Sequence, residues 1–360
     1  MRDRPIRLLE LGGDAEHRGG VHGAAFHSEI RRYTEERVRL ASNGTWAGRP
    51  ATNEDAIALA TSTLESHRRY DADLFEEMEA MALAGGISPA EAVIVGGFTD
   101  FVDIVRAAGS SSVPEEDDCT AVIVPDQLAG GRAGWLAQTW DMHDSATEHV
   151  VMLQIETPGA PRGLVYSTVG CLGQIGMNEA GIAVGINNLT ASNGRVGVTW
   201  PFVVRKALKQ STLDGALGCV LEAELAGAHN YLLFDDTGNG FNVEAMPGYR
   251  AVTKLDNRPL VHTNHCLDPE AQTLEATRPV DLQASSEARL ETAVRILGGL
   301  KSIEESDLIA LTREAGAICR RSEPPYHTET AGAVLMQPRS GRVLACWGIP
   351  AENEFEEFKI

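Results

Sequence analysis

A cysteine stands where an acidic segment of the chain gives way to an apolar run. Glu-Glu-Asp-Asp at residues 115–118 precedes Cys119, and Thr-Ala-Val-Ile-Val at residues 120–124 has the β-branched composition of a buried strand. A thiol becomes a strong nucleophile once a base has taken its proton. If the chain is cut before Cys119, the freed α-amino group, with a pKa of about 7.7–8, is a base beside the sulfur. The pattern therefore predicts nucleophilic attack on an amide carbonyl.

Two alternatives stay open for Cys119. Cysteine is among the most often buried residue types, so a reduced thiol at the start of a core strand would need no chemistry. In the second alternative a histidine is the base. The candidates are His262 and His265 and, at greater sequence distance, His22, His143, His229 and His327.

Other motifs give weaker signals. The i, i+3 spacing of His262 and His265, next to Cys266, is compatible with zinc, but no further cluster has ligand spacing. The glycine-rich residues 170–176 match neither the P-loop nor the dinucleotide fingerprint. We therefore expect no metal and no cofactor. Asp141 follows a predicted strand and is either a carboxylate at the sheet edge or a surface residue that opens a turn.

Composition limits the class of protein. The 360 residues have a formal net charge of −20, which argues against nucleic acid or an anionic membrane as a partner. The first nine residues have no apolar core of signal-peptide length, and no run approaches eighteen apolar residues, so we expect a cytoplasmic protein. The six cysteines have no C-x-x-C pair and are expected to be reduced thiols.

The elements that must position these residues change in type near residue 118. The first part reads as a short strand at residues 6–9 and then as helices, and residues 108–118 are a small, polar and charged linker. The second part reads mainly as strands with helices in pairs, which indicates an α+β layered fold with helices covering two stacked sheets. The predicted helices are 24–40, one from residue 52, 71–83, 88–107, 201–209, 213–223, 287–297 and 304–318. The predicted strands are 119–124, 135–140, 150–155, 163–169, 173–189 with a turn at 178–181, 231–234, 241–244, 332–336 and 343–347.

Five stretches, in order, carry a resemblance to a known family. They are Arg-Gly-Gly-Val-His-Gly at 18–23, Cys-Thr at 119–120, Gln-Thr-Trp-Asp at 138–141, the run at 173–184 and Val-His-Thr-Asn-His-Cys-Leu at 261–267. With these stretches the chain resembles the isopenicillin-N acyltransferase family, also called acyl-CoA:6-aminopenicillanate acyltransferases, within the amino-terminal-nucleophile hydrolases. The resemblance covers nearly the full chain and favours a catalytic Cys119.

The resemblance implies a fold, a cut and a set of roles. The fold would be a four-layer αββα sandwich built mainly from residues 119–360, preceded by an all-α segment, residues 1–118, that is retained after self-cleavage between Asp118 and Cys119. Cys119 would be the nucleophile, and Asp141 would stabilise the protonated amino terminus. Asn264 would help to bind the oxyanion.

The sequence departs from the family's best-known member at two places. Asp118 replaces a glycine before the nucleophile. Tyr326 and His327 stand where that member has a serine and an arginine, whereas Thr330 matches a threonine. The resemblance places Tyr326, His327 and Thr330, with Thr120, at the substrate.

Loss of the arginine favours hydrolysis of a small linear amide, such as an N-acyl amine or a β-alanyl amine, over acyl transfer from coenzyme A. Acyl-CoA-dependent N-acyl transfer and an uncleaved binding module remain the alternatives. The expected partners are the small-molecule amide, the two chains of one precursor and, as an open possibility, a second copy of the protein.

Overall fold

The computed structural model describes residues 5–44, 46–109, 119–130 and 132–360. The α-helices in chain order are α1 Ala15–Ala25, α2 His27–Ser42, α3 Asn53–Tyr70, α4 Ala72–Gly85, α5 Pro89–Gly96, α6 Phe98–Ala107, α7 Trp200–Leu208, α8 Leu213–Leu221, α9 Pro269–Leu274, α10 Val280–Gly298 and α11 Glu305–Thr312. The strands are β1 Leu8–Leu11, β2 Thr120–Val124, β3 Trp135–His143, β4 Val150–Ile155, β5 Gly163–Thr168, β6 Ile175–Asn178, β7 Ile182–Leu189, β8 Ala228–Asp235, β9 Gly240–Met246, β10 Tyr249–Lys254, β11 Leu260–His262, β12 Thr328–Gln337, β13 Arg342–Trp347 and β14 Phe355–Lys359.

The strands form two sheets. One has the order β1-β4-β5-β6-β7-β8-β9-β10 and the other β11-β2-β3-β12-β13-β14. Neighbouring strands are antiparallel except β1, which pairs in parallel with β4 and places Leu8 opposite Met152. The neighbours of β2 are therefore β3 on one side and β11 on the other, which brings the 119–124 and 260–262 stretches together.

The two sheets stack between layers of helix. Alternate residues of β2 point to opposite faces, as the pleat requires. Ala121 and Ile123 belong to the core between the sheets, whereas Val122 and Val124 pack in a second core that includes Leu297 from α10. Strands β2 and β3 contact β7, and α7 and α8 contact the eight-stranded sheet on its other side. This arrangement is the predicted αββα sandwich.

The N-terminal segment is tied into the sandwich at several places. Its helices α1 to α6 pack on one another, and their apolar side chains form one continuous core with the sheets. The segment also supplies β1 as an edge strand, so it is helical apart from this strand, which begins two residues later than predicted. The proposed boundary at residue 118 stays a prediction, because residues 110–118, including Asp118, lie outside the described part.

Several sequence predictions about helices are wrong in detail: α9 was not predicted, and α10 begins at Val280 rather than at residue 287. The stretch 88–107 forms two helices, because the chain turns at Gly97, where a Cβ atom would lie 2.5 Å from the Thr199 side chain. Helix α1 was not predicted, since Gly19, Gly20 and Gly23 lower its helix propensity. The last helix ends at Thr312 rather than at residue 318.

Three strands were also missed, namely β10, β11 and β14. Strand β11 has only three residues, and β14 is rich in charge, so neither shows a clear apolar pattern.

All six cysteines are free thiols. Among the described residues no single helix is long and apolar enough to cross a membrane, and only α4 and α5 together, across a 102° bend, reach that length and apolarity. The cytoplasmic location stays a prediction.

Candidate active site

Cys119 directly precedes β2 and faces a small internal cavity. It is 3% exposed. The cavity has a volume of about 20 Å³, which is room for about one water molecule. Its walls come from α2, α5 and α6 of the N-terminal segment and from both sheets, so both parts of the chain build the site. The lining residues are Tyr33, Val95, Gly96, Phe98, Thr99, Cys119, Trp140, Met142, Gln174, Ile186, Asn188, Trp200 and His229.

Asn264 holds the backbone nitrogen of Cys119. That nitrogen donates to Oδ1 of Asn264 at 2.6 Å, although the two residues are 145 positions apart in sequence. Asn264 follows β11, and its own backbone N–H donates to Oγ of Ser286 on α10 at 2.9 Å. Its Nδ2 donates to the carbonyl oxygen of Asn188 at 3.0 Å. The side chain thus orients Cys119, while the amide group predicted to bind an oxyanion is engaged with the backbone of β7.

Arg289 is a site residue that the sequence analysis missed. Its guanidinium, on α10, is fully buried. It donates to the carbonyl oxygen of Cys119, to Oγ1 of Thr120 at 3.3 Å and to Oδ1 of Asn264 at 3.1 Å. One side chain therefore fixes the cysteine, the next residue and the asparagine that holds the cysteine nitrogen.

Asp141 lies in β3 beside this group and is fully buried, so the alternative of a surface aspartate is wrong. Its carbonyl oxygen lies 3.9 Å from Sγ of Cys119. Burial lowers the pKa of Arg289 to about 10, and the negative charges of Asp141 and of a Cys119 thiolate oppose this shift. Arg289 therefore stays charged at neutral pH and offsets negative charge at Asp141 and Cys119.

Thr120 and Thr330 are both buried and both close to the cysteine's strand. The N–H of Thr120 donates to Oγ1 of Thr139 at 3.1 Å. Thr330 lies opposite Asp141 in the β3–β12 ladder, and its Oγ1 accepts from the N–H of Arg320 at 2.9 Å. Both hydroxyls already have protein partners in this structure.

Tyr326 and His327 precede β12 and lie nearer the surface. The Tyr326 hydroxyl donates to Oδ2 of Asp281 at 2.8 Å. The His327 side chain is 49% exposed, and its ring lies 6.2 Å from that of His143. Neither residue is among the described residues that line the Cys119 cavity. Their contact with substrate stays a prediction.

The histidines proposed as bases are engaged elsewhere. His229 lines the cavity, but its Nδ1 lies 3.0 Å from Oδ1 of Asp100 and its Nε2 lies 3.2 Å from Oγ1 of Thr99. In His262 the two ring nitrogens contact Glu244 and the carbonyl oxygen of Thr263, each at 2.8 Å.

His265 is also engaged with another residue. Its Nδ1 lies 2.8 Å from Oγ of Ser286. Burial lowers the pKa of His265 to about 4, so its ring is neutral at working pH.

The stretch at residues 18–23 positions helices rather than substrate. Added Cβ atoms at Gly19 and Gly23 would lie 2.1 and 2.3 Å from backbone oxygens of α4, so only glycine allows this approach. Arg18 binds Glu77 of α4 at 2.8 Å, and His22 accepts from the N–H of Gly170 at 3.1 Å. The motif locks α1 onto α4 and onto the loop after β5.

Fold and site together define an αββα protein with a buried cysteine at the start of a central strand. Residues 128–352 match the family model described as acyl-coenzyme A:6-aminopenicillanic acid acyl-transferase. The match spans more than half of the chain, and the protein belongs to this family. The matched region includes Asp141, Asn264 and Arg289 but begins after Cys119, so the assignment of the cysteine depends on the geometry above.

Comparison of sequences and comparison of structures both find proteins similar to this chain. The chain is 24% identical over 292 residues, 80% of its length and 76% of the relative's, to the 40 kDa form of acyl-coenzyme A:6-aminopenicillanic-acid-acyltransferase of Emericella nidulans. A mutant of the conjugated bile acid hydrolase from Clostridium perfringens superposes with a TM-score of 0.47 and 11% identity, covering 67% of this chain and 97% of that chain. Penicillin V acylase from Agrobacterium tumefaciens superposes with a TM-score of 0.38 and 14% identity, covering 64% of this chain and 82% of that chain. Both TM-scores are under 0.5, so the αββα architecture is established by the sheets and helices themselves.

Proposed function

We propose that the protein is a self-processing cysteine amidohydrolase whose nucleophile is Cys119. One observation carries this proposal. The backbone nitrogen of Cys119 is held at 2.6 Å by Asn264 while the thiol faces an enclosed cavity. A site that fixes the nitrogen as well as the sulfur of one residue fits a mechanism that uses both atoms.

The first step is hydrolysis of the peptide bond between Asp118 and Cys119, in which water supplies the hydroxyl of the new Asp118 carboxyl group and a proton of the freed α-amino group. This amine takes the thiol proton, and the thiolate attacks the carbonyl carbon of the substrate amide. The tetrahedral intermediate collapses, the C–N bond breaks, and the leaving amine takes the proton. Water then attacks the thioacyl carbon and releases the acid and the free thiol, so atoms and protons balance.

Three buried residues support these steps. Arg289 fixes the Cys119 carbonyl, and Asn264 fixes the nitrogen. Asp141 would stabilise the protonated amine. For Asn264 to bind the oxyanion, its Nδ2 must release the carbonyl oxygen of Asn188 and donate to the substrate oxygen instead. Backbone N–H groups would supply the other donors of the oxyanion hole.

The substrate we propose is a small linear amide of the N-acyl amine or β-alanyl amine type. The Emericella nidulans relative is named for transfer from acyl-coenzyme A to 6-aminopenicillanic acid. His327 replaces the arginine of the best-known family member, and loss of that arginine favours a linear amide. Acyl transfer is the second candidate, since the same thioacyl intermediate can react with an amine, and family membership favours it.

A competition experiment tests the proposal. The purified protein is screened against linear amides with mass-spectrometric detection, and each substrate that reacts is then incubated with increasing concentrations of an added amine. An amidohydrolase releases the free acid at all amine concentrations, whereas an acyltransferase forms the new amide in proportion to the amine. If wild type acts on no amide or thioester, or if Cys119→Ala turns substrates over as fast as wild type, the proposed function is wrong.

A further inference from the structure

A buried arginine with no carboxylate partner among the described residues packs against the wall of the Cys119 cavity. Arg37 of α2 is 0% exposed. Its Nη1 donates to Sδ of Met142 at 3.5 Å and its Nη2 to Oγ of Ser145 at 3.4 Å, both long contacts to uncharged atoms. Its Nε has no hydrogen-bond partner in the part of the chain that the structure describes. Within the described ranges, no carboxylate oxygen lies within 4.0 Å of this guanidinium.

Three other buried arginines of this protein are paired with carboxylates. Arg18 and Arg205 both bind Glu77 at 2.8 Å, and Arg106 binds Asp103 at 2.6 Å. Burying a charged group is unfavourable unless another group compensates the charge. Arg37 differs from these three and from Arg289, whose charge is opposed by the nearby negative charge of Asp141. The partner of its charge is therefore to be sought outside the described protein atoms.

The side chains around Arg37 are those of the cavity. Its Cζ lies 4.6 Å from the ring centroid of Tyr33 and 5.1 Å from that of Phe98, within cation–π range. Tyr33, Phe98 and Met142, to which Arg37 donates, all line the cavity that contains Cys119. The cation is therefore one side chain away from the cavity that the Cys119 thiol faces.

A polar path connects Arg37 with the surface. Oγ of Ser145, which accepts from Arg37, lies 2.8 Å from Nδ1 of His143. The His143 side chain is 18% exposed, and its ring lies 6.2 Å from that of His327, which is 49% exposed. Burial, and next the charge of Arg37, lower the pKa of His143.

We propose that Arg37 binds a carboxylate of the substrate, so that the substrate class is narrowed to amides that carry an anionic group. This inference rests on the proposed function, because it concerns the same cavity. A guanidinium matches a carboxylate in a two-bond fork, and such a bond is stronger than the contacts to Sδ and Oγ that it would replace. Arg37 comes from the N-terminal segment, so cleavage before Cys119 would leave specificity on one chain and the nucleophile on the other.

Matched substrates that differ only in charge test the inference. On the acyl side, succinyl-4-nitroanilide is compared with its succinamide analogue. On the amine side, N-butyryl-4-aminobenzoate is compared with N-butyryl-4-aminobenzamide. We expect wild type to prefer the carboxylate of at least one pair by about tenfold or more in kcat/KM, the rate equivalent of a charge-assisted hydrogen bond. The pair that shows the preference identifies which part of the substrate carries the anion.

Two variants assign the preference to Arg37. Arg37→Met should lower kcat/KM for the carboxylate more than for its neutral analogue, so that the preference disappears, and Arg37→Lys should restore part of the preference. Equal loss on both members of a pair would mean that Arg37 only supports the fold and would overturn the inference. A wild type without preference in either pair would also overturn it, and this result needs no variant to fold.

A binding measurement separates this inference from the proposed function. Succinate and 4-aminobenzoate are added to wild type and to Arg37→Met, and the shift in Tm is measured against the neutral amides. Stabilisation of wild type alone supports the carboxylate site even if no amide is hydrolysed. Hydrolysis of neutral amides with no response to either carboxylate supports the proposed function and contradicts the site.

Discussion

Oδ1 of Asn264 accepts a hydrogen bond from the backbone nitrogen of Cys119 at 2.6 Å, and the same oxygen accepts from Nη2 of Arg289 at 3.1 Å. The nitrogen of the proposed nucleophile is thus held by an oxygen that is itself fixed by a buried cation. Residues 119, 264 and 289 are far apart in sequence, and the pairing of β11 with β2 and the packing of α10 bring them together.

Replacement of Asn264 tests whether it orients the amine. Asn264→Ala removes the acceptor, and we expect kcat to fall by about 100-fold, the loss typical of a misplaced reacting group. Asn264→Asp keeps an acceptor but adds a negative charge, which favours the protonated amine and raises its pKa. Because the neutral amine is the base, the rising limb of the pH–rate profile should move to higher pH in Asn264→Asp. An unshifted profile with full activity in both variants would contradict this role.

Replacement of Arg289 separates positioning from stability. Arg289→Met leaves the oxygens of Cys119, Thr120 and Asn264 without their shared donor inside the protein, and we expect the free energy of unfolding to fall by about 3 kcal/mol or more. Arg289→Lys keeps the charge but cannot reach all three acceptors, so stability should recover more than kcat does. Arg295→Met, an exposed arginine of the same helix, is the control. Equal stability of all three variants in denaturant titrations would contradict the prediction.

Acid should destabilise the protein through His22. Burial lowers the pKa of His22 to about 4 from an ordinary value of 6.5, and its Nε2 accepts from the N–H of Gly170. As the pH falls, His22 takes up a proton in the unfolded chain at a higher pH than in the folded protein. Its contribution to the free energy of unfolding is therefore fully present above about pH 6.5 and is lost towards pH 4, by up to about 3 kcal/mol. His22→Gln should show a shallower fall of unfolding free energy between these pH values. His17→Gln, an exposed histidine of the same helix, should follow wild type, and parallel curves for all three proteins would rule out the assignment.

Two neighbouring glycines in α1 should respond to alanine in opposite directions. A Cβ at Gly19 would lie 2.1 Å from the Glu77 carbonyl oxygen, so Gly19→Ala forces α1 away from α4 and should cost about 1–3 kcal/mol. A Cβ at Gly20 meets nothing within 4 Å, and Gly20→Ala should leave stability unchanged or raise it by about 0.5–1 kcal/mol. Thermal unfolding compares them directly, and similar values of Tm would contradict the close packing of α1 on α4.

The sequence predicted the sandwich because its strands have clear apolar patterns. Strand β4 has the predicted bounds, and β2 and β5 differ from them by one residue. The resemblance named Asp141 and Asn264, and the structure places both beside Cys119. Asn264 lies in a short loop after a three-residue strand, so no local pattern could have indicated its contact with the cysteine.

Arg289 and Arg37 were missed because charged residues on helices are ordinarily assigned to the surface. Each has a signal that could have identified it. Arg289 interrupts a buried stripe at helical spacing, formed by Leu282, Ser286, Ala293 and Leu297. Arg37 interrupts a similar stripe in α2, formed by Ile30, Tyr33, Thr34, Ala41 and the adjacent Val38. An arginine at a core position predicts a buried partner, but the partner itself depends on contacts between distant parts of the chain.

The mass of the purified protein under denaturing conditions, with the N-terminal sequence of each fragment, tests the central claim most directly. Division of the 38.6 kDa chain before Cys119 predicts fragments of about 13 and 26 kDa, in proportion to 118 and 242 of the 360 residues, and the larger should begin with Cys119. Cys119→Ala should stay full length and inactive. A wild-type chain that hydrolyses amides while still intact at 38.6 kDa would contradict the use of a freed amino terminus as the base.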